Sequence, residues 1–152
     1  MVVDTAMYTL HGIFAALWTG SIVFVTAAVL PLAASGNLSP GDFGSVVNKL
    51  RWITRISALV TLLSGGHLAG VLYTTATLTE TTRGYLVIAM LVFWLGLAAT
   101  IEIGSSRAMA GVDAKKIREP ARDAKPLYYA ACVLAIGLLV TAGLLGTPSP
   151  IL

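Results

Sequence analysis

Residues 6–34 read AMYTLHGIFAALWTGSIVFVTAAVLPLAA, and this run contains no Asp, Glu, Lys or Arg. An α-helix rises about 1.5 Å per residue, so about 20 apolar residues cross the hydrocarbon core of a bilayer. The run is therefore long enough to cross a membrane as one helix. Soluble domains rarely contain so long an uncharged segment, and this stretch decides the class of fold.

Three further stretches, 55–75, 84–106 and 126–146, are also long and mostly apolar, and their only charged residues are Arg55 and Glu102. Only 11% of the 152 residues are charged and 57% are hydrophobic, whereas a soluble domain has roughly 25% charged residues. This composition argues against a soluble enzyme and against a disordered region. Short connections make consecutive spans antiparallel neighbours. We therefore predict an all-α fold, an antiparallel four-helix bundle forming a single transmembrane domain over residues 1–152 and crossing the cell membrane.

The positions of Lys and Arg predict the orientation of the bundle. Six of the 10 cations lie in residues 107–125, and three more lie between spans one and two. The second connection contains only Arg83. Because cytoplasmic loops carry the excess of Lys and Arg, both termini are expected outside. The net charge of +3 thus reflects loop topology, and no nucleic-acid partner is expected.

The first inner connection is expected to contain a helix of its own, over residues 39–50. It begins with an N-cap serine, a proline at the first helical position and an acid in the first turn. Apolar residues follow at helical spacing: Phe43, Val46, Val47 and Leu50. This pattern predicts a short amphipathic helix lying on the inner face of the membrane.

Both histidines of the chain, His11 and His67, lie inside predicted spans, where an ionisable side chain indicates a functional site. Counted from the outer ends of their spans, they are roughly 8 Å and 12 Å deep. Imidazoles at one level on neighbouring helices are typical axial ligands of haem b. We therefore predict one haem b in the outer half of the bundle, between His11 and His67.

Neighbouring residues fit a haem site. Gly66 and Gly70 flank His67 and would let a porphyrin approach the backbone, while Tyr8 would add a hydrogen bond. Arg83 is the only cation on the outer side and would pair with haem propionates. Each of these residues can also be explained without a cofactor. Glycines allow helices to pack closely, and a Tyr or an Arg anchors a span at the membrane interface.

Two other interpretations of the histidines stay open. Met90 is predicted at their level, and with Met7 it completes a set of His and Met ligands that suits copper. Alternatively, the histidines donate interhelical hydrogen bonds, and the protein is a cofactor-free accessory subunit whose small-residue faces bind partner helices. Glu102, an acid inside span three, is expected to form an ion pair with Arg55 or Arg107.

The chain resembles a superfamily of small membrane proteins in Tyr8-x-x-His11, Trp18-x-Gly20, Pro31, the stretch 51–66 and Gly84-Tyr85-Leu86. This is the CopD/HemJ-like superfamily, which includes the copper-resistance protein D domain and the HemJ-type protoporphyrinogen oxidase. The resemblance implies four spans and either copper handling or haem b bound through a first-span histidine, which His11 matches. HemJ-type proteins also carry a functional lysine early in span three, where this chain has Ala89 and Met90.

The leading hypothesis is a membrane protein, like a b-type cytochrome, that binds one haem b and transfers electrons. A haem-dependent membrane oxidoreductase is the corresponding enzyme class. The expected partners are the lipid bilayer, a quinone or an external redox protein, and either further copies of the chain or other subunits of a membrane complex.

Overall fold

A computed structural model describes residues 1–147, apart from the side chain of Asp113. The helices are α1 (Val2–Phe24), α2 (Leu30–Ser35), α3 (Pro40–Leu72), α4 (Thr75–Glu80), α5 (Thr82–Asp113) and α6 (Arg118–Leu145). A π-helical turn, Val25–Val29, joins α1 to α2 without a break. The described residues contain no strand, and the predicted all-α fold is confirmed.

Four segments are long and apolar enough to cross a membrane: Val2–Ser35, Pro40–Leu72, Thr82–Val112 and Arg118–Leu145. They run alternately up and down, and the chain is a multi-pass membrane protein. Each extends beyond the corresponding predicted span at one end or both. We call the end of the bundle where α1 begins and α3 ends the outer end, following the predicted orientation.

The π-helical turn before α2 follows from Pro31. Proline has no backbone N–H, and its ring clashes with the carbonyl of the residue four positions earlier in an α-helix. The wider turn relieves this conflict, and the N–H of Leu30 donates to the carbonyl oxygen of Val25, five residues back. The first span therefore stays helical through the proline.

Helix α3 begins as predicted, because the Ser39 hydroxyl accepts a hydrogen bond from the backbone N–H of Asp42 at 3.1 Å. The separate amphipathic helix expected over residues 39–50 is instead the first part of α3, which continues unbroken to Leu72. No glycine or proline between positions 45 and 64 interrupts it. Phe43, Val47 and Leu50 are buried in the bundle, so their apolar face packs against protein instead of the membrane surface.

Buried hydroxyl groups on α3 form hydrogen bonds with tryptophans of neighbouring helices near the middle of the bundle. Indole Nε1 of Trp18, on α1, donates to Thr54 Oγ1 at 3.1 Å. Indole Nε1 of Trp94, on α5, donates to Thr61 Oγ1 at 3.2 Å. The two indole rings meet edge to face, with centroids 6.4 Å apart. Because these bonds join α1, α3 and α5, they set the rotation of each helix and hence which side chains face the outer end.

Nearer the inner end, Glu102 of α5 accepts hydrogen bonds from two arginines of α3. Its Oε1 lies 2.6 Å from Nη2 of Arg51 and 2.6 Å from Nη2 of Arg55, and Arg55 Nε adds a contact to Oε2 at 3.3 Å. The expected ion pair with Arg55 is confirmed. Arg107, the other cation considered from the sequence, is not a partner, and Arg51 takes that place because it lies one turn from Arg55 on α3.

Replacing Glu102 by glutamine is expected to lower the midpoint of thermal unfolding by about 2–4 °C. The neutral amide loses the charge that two guanidinium groups share, while the partial exposure of all three side chains limits the effect. Thermal unfolding of the detergent-solubilised protein, followed by circular dichroism, measures the midpoint. Glu80→Gln is the control, since Glu80 is exposed and has no ion pair with the described residues. Equal midpoints for the two variants would contradict a stabilising role of the Glu102 cluster.

Candidate functional site at the outer end

A cavity of about 730 Å³ lies at the outer end of the bundle. Its lining residues come from α1, α3, α4, α5 and α6 and from the short connections before and after α4. This volume falls within the range of small-molecule and cofactor sites, about 300–1,000 Å³. Most of the lining surface is apolar. The small or apolar lining residues are Gly65, Leu68, Ala69, Leu72, Val87, Met90, Ala142, Leu145 and Gly146. The lining residues with polar groups are Tyr8, His11, Tyr73, Thr77, Thr81, Thr82 and Arg83.

The imidazole of His11 has a defined orientation in this cavity. Its Nδ1 lies 3.1 Å from Ser64 Oγ, and the Ser64 hydroxyl donates its only proton to the carbonyl oxygen of Val60 at 2.6 Å. Ser64 Oγ therefore accepts from the Nδ1–H of His11. This leaves the lone pair on Nε2, which makes no hydrogen bond with the described residues. A neutral imidazole held in this tautomer is the form that ligates metals.

Gly65 provides the space for the His11 ring. A Cβ atom at position 65 would lie 2.8 Å from His11 Cε1 and 3.2 Å from its Nδ1. Gly66 and Gly70, the glycines predicted to flank a porphyrin, do not line the cavity, and a Cβ at either would have nothing within 4 Å. The sequence shows adjacent glycines at 65 and 66, but the rotation of α3 decides which one faces α1.

Arg83, a predicted site residue, lines the cavity from α5. Its Nη2 donates to the carbonyl oxygens of Leu145, at 3.4 Å, and of Thr147. Its Nε is buried and has no hydrogen-bond partner among the described residues. An unsatisfied buried donor is unfavourable. Tyr8, also predicted, lines the same cavity from α1.

Met90 lines the cavity from α5, on the face it shares with Arg83 and Val87. These residues follow the spacing i, i+4, i+7, which places them on one side of a helix. Helix α1 contributes His11, so the structure brings Met90 and His11 to one cavity. Met7, considered as a further copper ligand, is not among the lining residues.

His67 lies apart from this cavity. Its Nε2 is 3.1 Å from Asp4 Oδ1, and it is not among the lining residues. Asp4 and His11 are seven residues apart on α1, while Ser64 and His67 are three apart on α3. The two imidazoles are thus separated by about one to two helical turns, roughly 5–10 Å along the bundle. The structure gives each histidine its own partner and brings only His11 to the cavity.

No cluster of three or more His, Cys, Asp or Glu side chains that would suit a metal ion occurs in residues 1–147, leaving aside the side chain of Asp113. In the described part of the chain, ligands for a metal in the outer cavity would therefore be His11 with the thioether of Met90. Comparisons with protein-family models, curated proteins and solved structures find no match. The resemblance to the CopD/HemJ-like superfamily stays a prediction.

Proposed function

We propose that the protein binds one haem b in the outer cavity, with His11 as an axial ligand, and transfers electrons in the cell membrane. The observation that carries the proposal is the His11–Ser64 hydrogen bond, which leaves the Nε2 lone pair unused in a large, mainly apolar cavity. When bound, the haem iron supplies one-electron transfer between its ferrous and ferric states.

The residues around His11 also suit haem b. Ser64 fixes the tautomer and the ring orientation, a role that typically changes metal affinity by about 10–100-fold. Arg83, which lines the cavity, would pair with a propionate through its guanidinium group. Leu68, Leu72 and Val87 would contact the macrocycle with apolar side chains and exclude water. A macrocycle with an apolar body and an anionic edge matches this distribution of groups.

Met90 is the best-placed candidate for the second axial position, because it lines the cavity with His11 whereas His67 bonds to Asp4. Paired His and Met ligands raise the reduction potential of a haem relative to two histidines. The earlier prediction of His11 with His67 is the alternative, and it requires His67 to leave Asp4.

Replacing Met90 by leucine is expected to change the sixth ligand and so shift the reduced α and Soret bands and lower the reduction potential. Absorption spectra and a redox titration of the purified protein measure both. Met109→Leu is the matched control, since Met109 lies on the same helix near its inner end. A spectrum unchanged in Met90→Leu but altered in His67→Leu would favour the His11 and His67 pair.

Copper handling is the second candidate function, favoured by the shared position of His11 and Met90 in one cavity. Thioether and imidazole ligands suit Cu(I), and such a site needs no macrocycle. Iron and copper measured per chain in protein purified from cells supplied with both metals distinguish the functions. Bound iron would support the haem proposal, and bound copper would support copper handling. Neither metal would contradict both and would favour the accessory-subunit hypothesis, for which Gly12, Gly20, Gly66 and Gly70 offer open faces.

The redox partner is expected at the outer side. Residues between α3 and α5 line the cavity, so a quinone or an external redox protein would approach the site from that side. An oxidoreductase activity would depend on that partner, since a haem with both axial positions filled binds substrate poorly. A single haem near the outer end spans less than half the membrane, so transfer across the bilayer needs a further carrier.

A further inference from the structure

A second cavity, of about 750 Å³, lies at the inner end of the bundle between α5 and α6. It is an open cleft, and its lining combines charged side chains with small or apolar ones: Arg107, Ala110, Gly111, Ala114, Lys116, Glu119, Pro120, Arg122, Asp123 and Pro126. It is remote from the outer cavity, and none of its lining residues has a role in the proposed haem site.

Two cationic side chains of the cleft have no ion-pair partner among the side chains that the structure describes. Arg107, from α5, and Arg122, from α6, make no ion pair or hydrogen bond with any side chain that the structure describes. Lys116 lies 3.7 Å from Glu119, and this pair neutralises both groups. Asp123 is the remaining acid. The three cations and two acids of the lining leave one positive charge in surplus, and residues 107–125 together contain six cations and three acids.

The framework of the cleft is set by a close approach of α5 and α6. Position 111 has no room for a side chain, because a Cβ there would overlap the ring of Pro120. Ala110, Gly111 and Pro126 form the apolar part of the wall, where the apolar spans of both helices begin. The cleft thus presents guanidinium groups next to apolar surface at the predicted membrane boundary, an arrangement that suits the headgroup region of an amphiphile.

We propose that this cleft binds the phosphate of an anionic phospholipid from the inner leaflet. Arg107 and Arg122 would donate charge-assisted hydrogen bonds to the phosphate oxygens, and the apolar wall would contact the glycerol region. Basic cavities between membrane helices on the cytoplasmic side bind anionic headgroups in this way. Free inorganic phosphate shares the chemistry but lacks the apolar part, so the cleft should prefer the lipid.

The test uses the full chain, delipidated in mild detergent, and measures lipid bound per chain by native mass spectrometry. The probes are phosphatidylglycerol, phosphatidylcholine and inorganic phosphate. Phosphatidylglycerol should bind at least about tenfold more tightly than phosphatidylcholine, and its affinity should fall about tenfold in Arg107→Gln and in Arg122→Gln. Lys49→Gln is the matched control, because Lys49 is an exposed inner cation outside the cleft and should leave the affinity unchanged.

Three outcomes would overturn the proposal. The first is equal binding of phosphatidylglycerol and phosphatidylcholine. The second is an equal effect of Lys49→Gln and the two arginine variants, which would indicate attraction by the whole inner surface. The third is binding of inorganic phosphate as tight as that of phosphatidylglycerol, which would assign the cleft to soluble anions. Because haem content is not a readout, the result is independent of the proposed function.

Discussion

Replacing His11 by alanine is expected to reduce haem in the purified protein from about one per chain to less than about a tenth of that. The imidazole is the only nitrogen ligand lining the outer cavity among the described residues, and Ser64 holds it in the tautomer that exposes the Nε2 lone pair. The lost hydrogen bond alone is a small term, about 0.6 kcal/mol in a membrane protein. The variant should therefore fold and lose the cofactor.

His67→Ala is the informative control for this variant. If Met90 is the second ligand, His67→Ala keeps the haem and loses only the bond to Asp4. If the two histidines share the haem, both variants lose it. Gel filtration and circular dichroism establish that each variant is folded, and added imidazole should restore haem binding to His11→Ala. A folded His11→Ala variant with its full haem content would contradict the proposed ligation.

Replacing Gly65 by valine is expected to remove most of the haem without removing any ligand. Even the first carbon of a side chain at position 65 would lie 2.8 Å from His11 Cε1, and the two methyl groups of valine add to the overlap. The His11 ring must move away, which should break its hydrogen bond to Ser64 and displace Nε2. Haem per chain is the measurement, and we expect a loss of about tenfold or more.

Gly66→Val is the matched control, one position along the same helix. It makes the same change in helix propensity and volume, but a Cβ at position 66 has nothing within 4 Å in the described structure. We expect it to bind haem like the unaltered protein. Equal haem loss in the two variants would mean that the glycine pair acts through helix packing or a partner, and that Gly65 has no special relation to His11.

The bundle could be predicted from the sequence because bilayer thickness imposes a length on uncharged segments. Residues 6–34 admit no other structure in a chain with so few charges, and the remaining spans follow the same rule. Helix ends were harder to predict. Residues 40–54 contain charges and were placed outside a span, yet nothing in them interrupts a helix, so α3 includes them.

The site could be predicted only in part. Polar or thioether side chains in or beside a membrane span indicate a functional site, and on that basis the sequence identified His11, Arg83, Tyr8 and Met90. All four line one cavity in the structure. His67 was placed with them by its depth alone. The depth of each histidine was counted from the predicted outer end of its span. In the structure α3 ends at Leu72 instead of residue 75, and α1 begins at Val2 instead of residue 6, so the two depths differ from the predicted ones.

Gly65 and Ser64 were not predicted, because their role depends on the rotation of α3 about its axis. That rotation is set by tertiary contacts, chiefly the Trp18 bond to Thr54 and the Trp94 bond to Thr61. A serine directly before a glycine pair has no distinctive pattern in a sequence. That these residues lie beside His11 becomes visible only when the helices are packed together.

The most direct test of the central claim is the absorption spectrum of the purified protein, oxidised and dithionite-reduced, with haem quantified as its pyridine complex. The protein should be purified in mild detergent from cells with ample haem. We predict sharp reduced α and Soret bands and about one haem b per chain. A folded preparation without these bands, obtained from such cells, would contradict it.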